Sequence, residues 1–338
     1  PSLEMAQACI DVGPSNRRSE RLGVYSDHAQ LLARDDLDAV VIASPNHTHA
    51  DVLADALASD VHVMVEKPVC TTVPDALRVR SLAAGRSSGG SPLMCWVALE
   101  YRYMPTPAML LDLVRANLLG TTRMVAIREH RFPFLTKVGN WNRFTANTGG
   151  TLVEKCCHFF DLMRQTLQGA RPVRVMASGG QDVNHLDEVL DAGVPDILDN
   201  AFVIVDFDDG ARALLDLSMF AEGSAYEQEL VAVGDRGKVE VRLPGFMEVS
   251  RGRPAQLVVG SRGPDWPVTV SELGGDERVR HVGAHHGASY LEHVAFAEAI
   301  RDGGNATVSV DDGLWSVAMG AAAHRSIDER RPVELSEM

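Results

Sequence analysis

Two segments far apart in this chain carry side chains that could hold or move a proton. In the first, the apolar run Val61-His62-Val63-Met64-Val65 ends in Glu66 and Lys67, and Pro68 then fixes a turn. Lysine is scarce: among 32 basic residues only Lys67, Lys137, Lys155 and Lys238 are lysines. A lysine at the carboxyl end of a strand stands where ligands bind in open α/β sheets. There it could meet a ligand; a solvated charge pair at a turn is the competing reading. The second segment runs Gly149-Gly150-Thr151-Leu152-Val153-Glu154-Lys155-Cys156-Cys157-His158-Phe159-Phe160-Asp161. Two glycines allow a close backbone approach before a helix expected from Thr151 to about Leu167. On that helix Glu154, His158 and Asp161 fall at i, i+4 and i+7 and share one face. A histidine between carboxylates suits general-base work, because its pKa near 6.5 can be adjusted toward the operating pH. Thr151-x-x-Glu154 is equally a capping box, which would employ Glu154 only at the helix start.

Other candidates surround these two. Asp11 ends a strand-like run, Met5 to Ile10, before a Gly13-Pro14 turn. In a dinucleotide-binding fold an acidic residue there binds the adenosine ribose and repels a 2′-phosphate, favouring NAD over NADP, although Arg17 and Arg18 blur the preference and NADP is not excluded; an Asp that merely opens a Gly-Pro turn is the competing reading. Such an acid follows its glycine-rich loop by ~20 residues, so the first strand and that loop are expected upstream of Pro1. Ser44-Pro45-Asn46-His47-Thr48-His49 leaves one strand and enters a helix at the same sheet edge, placing backbone amides and short polar groups near a cofactor; Asn46 and Thr48 could instead cap the helix. His130-Arg131-Phe132, Trp141-Asn142-Arg143 and the junction Tyr101-Arg102-Tyr103 offer aromatic and hydrogen-bonding side chains suited to a polyhydroxylated ligand, or to ordinary loop packing. His285-His286 lacks a spaced partner for a metal.

These residues need a scaffold, and the pattern supplies two. Up to about residue 118, short apolar strands (Asp38 to Ser44, Val61 to Val65, Leu93 to Ala98) alternate with helices. One helix carries Ala50, Leu53, Ala54 and Leu57 at helical spacing, and another begins at Val73, capped by Thr72 with Pro74 in its first turn. That alternation predicts a doubly wound parallel sheet. From 119 to 338 the rhythm changes to strands at Met124–Glu129, Val173–Ser178, Ala201–Phe207, Ala211–Met219, Glu229–Val233, Lys238–Arg242 and Gln256–Val259. Asp208-Asp209-Gly210 and Asp235-Arg236-Gly237 are expected to be hairpin turns with glycine at positive φ. This predicts an α+β domain with a large, mostly antiparallel open sheet. Residues 261–283 read as a long loop, and two helices, Ser289–Arg301 and Asp311–Ile327, close the chain and could pack back on the first domain.

The 338 residues suit two domains, and 45% hydrophobic content suits a globular protein. No apolar run reaches the ~18 residues of a membrane span. A net charge of -14 argues against nucleic acid and anionic membranes as partners. Five scattered cysteines without metal spacing fit reduced thiols in the cytoplasm.

Taken together, the motifs resemble the Gfo/Idh/MocA oxidoreductase family. The signs are Ala-Ser-Pro-Asn-His-Thr-His after one strand, Glu66-Lys67-Pro68 after the next, Tyr101-Arg102-Tyr103, Gly149-Gly150 through His158 and Asp161, and the closing Ser309-Val310-Asp311-Asp312-Gly313-Leu314-Trp315. The resemblance implies a Rossmann domain, an open-sheet domain, and hydride transfer between NAD(P) and a secondary hydroxyl of a sugar, glycoside or cyclitol. It matches Lys67 to the family's active-site lysine and His158 to its catalytic histidine. Glu154 stands where most members carry aspartate, so it either orients substrate or caps the helix. The cofactor set implied is Asp11, Ser44, Pro45, Asn46, His49, Glu66, Lys67 and Arg102. The substrate set is Lys67, Arg131, Trp141, Asn142, Arg143, Glu154 and His158, with no metal. A homodimer or homotetramer is expected. The alternatives are an NAD-binding regulatory protein without catalysis and an NAD-dependent glycoside hydrolase.

Overall fold

The computed structural model describes residues 23–280, 282–283 and 285–338; the strand expected before Asp11, Asp11 itself and the Gly13-Pro14 turn lie outside them. After a short helix α1 (His28–Leu32), three strands form a parallel sheet in the order β1 (Ala39–Ile42), β2 (His62–Glu66), β3 (Cys95–Ala98). The pairing runs from Ala39↔His62 to Ile42↔Val65 and from Val63↔Cys95 to Glu66↔Ala98. Strands buried on both faces read as unbroken apolar runs, and Val63, Met64 and Val65 are fully buried. Helices α2 (His49–Leu57) and α3 (Val73–Ala83) connect them. The Thr72 hydroxyl accepts from the Asp75 amide at 3.3 Å, and Pro74 occupies the first turn. All three strands point their carboxyl ends the same way, which gathers Ser44, Glu66 and Lys67 on one rim.

A 3-10 turn (Glu100–Tyr103) leads into α4 (Pro105–Arg115), a helix that the sequence reading did not place; its Leu110, Leu111 and Val114 face the second core. The second sheet has nine strands: β4 (Thr122–His130), β5 (Pro172–Gly180), β6 (Asn200–Phe207), β7 (Arg212–Ser218), β8 (Gln228–Gly234), β9 (Gly237–Leu243), β10 (Ala255–Ser261), β11 (Val268–Leu273) and β12 (Val333–Glu334). Their order is β11-β10-β9-β8-β4-β7-β6-β5-β12. Every pair is antiparallel except β4 with β7, which run parallel from Met124↔Arg212 to His130↔Ser218. Strict alternation sends Val125, Ile127, Val203, Val205, Leu215, Leu217, Val239 and Val241 into one core beneath the helices.

The structure corrects the sequence reading in four places. Residues 261–283 are not one loop, because Val268–Leu273 pairs with β10 as the edge strand; the alternation Val268-Thr269-Val270-Ser271 is short, lies in a glycine- and charge-rich stretch, and turns neither face to a core, five of the six residues being exposed. Gly210 has φ 82°, as a hairpin turn requires, but Gly237 is not in the left-handed region. Its reason is proximity: a Cβ there would stand 2.7 Å from the Gly260 carbonyl oxygen. The Thr151–Leu167 helix is broken into α5 (Thr151–Glu154) and α6 (Cys157–Thr166) around Lys155 and Cys156. Finally, no capping box forms. Gly150 is the N-cap, and the Thr151 hydroxyl donates to the Leu198 carbonyl at 2.6 Å.

The closing helices α7 (Ala288–Arg301) and α8 (Val310–Glu329) join the two halves. Val310, Leu314, Val317 and Ala318 sit in the core of the parallel sheet, while Met319, Ala322 and Ala323 sit in the other. Gly320 permits this: a Cβ there would lie 2.5 Å from the Leu152 carbonyl oxygen, so a larger residue would push α8 off α5.

Candidate active site

The rim after β2 meets the break between α5 and α6. Lys67, before the cis Lys67-Pro68 peptide, donates from Nζ to the Glu154 carbonyl oxygen at 3.2 Å. The Cys157 thiol donates to the same oxygen at 3.3 Å. The break therefore serves the site: a carbonyl that a continuous helix would occupy internally is turned toward the lysine. Glu66 is half-buried, and its carboxylate accepts from the Lys67 amide at 3.2 Å. Burial disfavours the Lys67 ammonium, but the neighbouring Cys157, Glu154 and Glu66 outweigh it and its pKa is raised. The Cys157 thiol is itself pushed up to about 11 by burial, so near pH 7 the carboxyl groups are the effective partners.

His158, one turn on, is 2% exposed. Its ring stacks on Tyr101 at a centroid distance of 3.9 Å and an interplanar angle of 7°. Burial, then the positive charges of Lys67 and Lys155, push its pKa well below the usual histidine range, so it is a neutral imidazole at pH 7. Its Nδ1 is buried without a hydrogen-bond partner among the described residues. Glu154 is buried beside both, its pKa raised by burial against the opposing pull of Lys67 and Lys137, and its Oε2 likewise has no partner there. A neutral base, a cationic donor and an unsatisfied carboxyl thus converge where two halves of the chain meet. Buried polar groups are normally satisfied, and the His158 Nδ1 and Glu154 Oε2 would be satisfied by a ligand rich in hydroxyls.

Asp161 is not on this face. It holds Arg102 in a bidentate pair, and Arg102 also contacts Asp312 at 3.1 Å and the Thr307 carbonyl at 2.9 Å. Arg102, expected at the cofactor, is an interior tie between the 3-10 turn, α6 and α8. His49, also expected there, is fully buried, with its ring nitrogens 2.8 Å from the Pro68 carbonyl and 3.0 Å from that of Ser44. It positions both rim turns and offers a cofactor no surface. Burial lowers its pKa and keeps it neutral.

The remaining rim suits a dinucleotide. Asn46 is buried after Pro45 with its Nδ2 lacking a partner among the described residues, and Ser44 and Thr48 share a 2.6 Å hydroxyl contact. Among the proposed substrate residues, Trp141 meets His47 edge-on at 6.5 Å, bringing the second half of the chain to this rim. Asn142 is fully buried, donating to the Leu135 carbonyl at 2.9 Å, with Oδ1 unpartnered among the described residues. Arg143 contacts Glu188 at 3.3 Å, and its Nη1 is likewise unpartnered. Arg131 pairs with the fully buried Glu129 at 3.3 Å. Lys155, Glu129 and His285 were not assigned roles from sequence. Their signal was type and place: a rare lysine inside an apolar segment, a carboxylate in strand alternation, and a histidine ending a loop. Among the described residues no group of three or more His, Cys, Asp or Glu side chains could hold a metal, and no helix is long and apolar enough to cross a membrane.

Comparison with known proteins bears on the family and the fold. A model of the oxidoreductase family's NAD-binding Rossmann fold matches residues 1–88, and one of its C-terminal alpha/beta domain matches residues 112–335. The myo-inositol 2-dehydrogenase of Thermotoga maritima is 25% identical over 94% of this chain and 87% of its own length. The inositol 2-dehydrogenase of Rhizobium meliloti is 28% identical over 89% of this chain and 82% of its own. In fold, the chain resembles levoglucosan dehydrogenase solved with NADH and levoglucosan, with a TM-score of 0.78 and 20% identity over 98% of this chain and 86% of that one.

Proposed function

The chain belongs to the Gfo/Idh/MocA oxidoreductase family, and from that membership we propose that it oxidises a secondary hydroxyl of a cyclitol or sugar at the expense of NAD. The observation that carries this reading is the meeting of Lys67 with the α5–α6 break that lies between Glu154 and His158. NAD, when bound, supplies the hydride acceptor. Lys67 donates a hydrogen bond to the reacting oxygen and lowers its pKa. His158, neutral at pH 7, receives the hydroxyl proton. Glu154 and the Asn142 Oδ1 accept from neighbouring hydroxyls, the Arg143 Nη1 donates to another, and Trp141 stands beside His47 at the rim. Asn46 and the Ser44-Pro45 backbone hold the cofactor's nicotinamide half.

Support for the substrate class comes from the two inositol dehydrogenases and from the buried polar atoms left without partners among the described residues. A scan at 340 nm with NAD and a panel of inositols and pyranoses tests it. Steady NADH formation with a polyol is expected; no absorbance change with any of them, whether through hydrolysis or through binding alone, overturns it.

The same reading includes a homodimer or homotetramer. The outer face of the nine-stranded sheet exposes Met124, Met176, Phe202, Ile204 and Leu214, a contiguous apolar surface of the kind that marks an interface. A monomer in light scattering would refute it. A cytoplasmic setting accords with the four free, buried cysteines among the described residues.

A further inference from the structure

Behind His158 lies a buried charged network that the proposed chemistry does not use. Lys155, in the break between α5 and α6, is 4% exposed. Its ammonium donates to the Tyr101 hydroxyl at 2.6 Å and pairs with Glu129 at 2.9 Å. It also lies 4.9 Å from the centre of the Tyr101 ring and 5.6 Å from that of Phe159. Glu129 is fully buried on β4 and shared with Arg131. Burying a charged pair is costly, and a well-packed apolar pair would fill this space more cheaply. What the pair touches is Tyr101, and Tyr101 is the ring that lies flat against the imidazole of His158.

We propose that Lys155 and Glu129 are positioning residues: by anchoring the Tyr101 hydroxyl they hold the stacked ring that fixes His158 in the plane where it receives the substrate proton. The inference rests on the dehydrogenase reading for its purpose, but its geometry stands without it. A stack at 7° leaves the imidazole free to slide unless the partner ring is pinned at its far end, and the hydroxyl is that end. Lys155 also acts on His158 by charge. The charges that oppose protonation of His158 are Lys67 from the end of β2, Lys155 from its own turn, His285 before α7 and Arg131 following β4; Tyr101 lies flat against the ring, and Glu154 stands one helical turn before it.

The test is a histidine Cε1–H NMR titration of the whole chain, with the His158 resonance identified by its loss in His158→Gln, alongside the pH dependence of NADH formation. In Lys155→Met the His158 titration is expected to move up by about one pH unit, the scale of one removed charge in a partly buried setting, with Lys155→Arg restoring it. In Tyr101→Phe, which keeps every charge, kcat is expected to fall about tenfold through misplacement with KM changed less than about twofold and the His158 resonance broadened. An unmoved His158 titration in folded Lys155→Met, or an unchanged resonance and kcat in Tyr101→Phe, overturns the proposal. If Lys155→Met does not fold, Tyr101→Phe decides. If the parent chain turns over no polyol, the dehydrogenase reading fails, and the two resonances still decide the positioning role.

Discussion

Lys67 Nζ and the carbonyl oxygen of Glu154 lie 3.2 Å apart, joining the end of a parallel strand to a deliberate break in a helix of the other half of the chain. The contact fixes the lysine within a turn of His158, although the two are remote in sequence. It gives the first prediction. His158→Ala and Lys67→Ala should each cost about 10²–10⁴-fold in turnover, the usual cost of losing a proton-transfer group. NAD binding, followed by fluorescence quenching, should remain near that of the parent. Unchanged turnover in both variants would remove these residues from the chemistry.

The pH profile follows from the environment of His158. A base must be unprotonated to receive a proton, and burial together with Lys67 and Lys155 holds this imidazole well below its ordinary pKa. The rate of polyol oxidation should therefore stay level as pH falls through 6.5 and decline only at distinctly lower pH. A half-maximal rate near pH 6.5 in kcat/KM would show an unperturbed histidine instead.

A further histidine contributes to acid stability. His324 on α8 accepts from the Leu152 amide at 3.1 Å, capping α5 where Gly150 has no side chain to do so, and burial pushes its pKa down to about 4. Protonation would abolish the acceptor. Because the folded pKa is depressed, the contribution is complete above about pH 6.5 and is lost as pH falls toward 4, amounting to about 3 kcal/mol at most. Urea unfolding at pH 7 and pH 5 should show about 2 kcal/mol of this loss in the parent and a smaller one in His324→Asn.

How much of this was legible in sequence depends on what each residue's neighbours are. The parallel strands announced themselves because burial on both faces leaves only apolar residues. Lys67 and His158 stood out because polar groups interrupt such patterns. The break at Lys155-Cys156 was invisible, since helical spacing continues through it; its cause is the lysine that claims the Glu154 carbonyl from across the domain junction. Asp161 was assigned to the wrong side for the same reason, because spacing along a helix cannot show that Arg102 waits on the other face. The edge strand Val268–Leu273 escaped because its short alternation is surrounded by glycine and charge and, at a sheet edge, it has little core to cover.

That reassignment is itself testable. Asp161→Asn leaves Arg102 buried with Asp312 as its remaining carboxylate, and removing one partner of such a pair typically costs about 3 kcal/mol. Urea denaturation should show a loss of that order, while kcat/KM of the folded enzyme stays within about twofold of the parent. A large fall in kcat/KM with stability intact would return Asp161 to the active face.

The most direct measurement follows the hydrogen. A polyol that the chain converts to product, deuterated at its hydroxyl-bearing carbons, is incubated with the chain and NAD, and the cofactor is recovered for mass analysis. Transfer of hydride to NAD predicts deuterium in the reduced nicotinamide in proportion to product formed, and neither label nor product in His158→Ala at comparable times. Product accumulating with an unlabelled, unreduced cofactor would contradict the account.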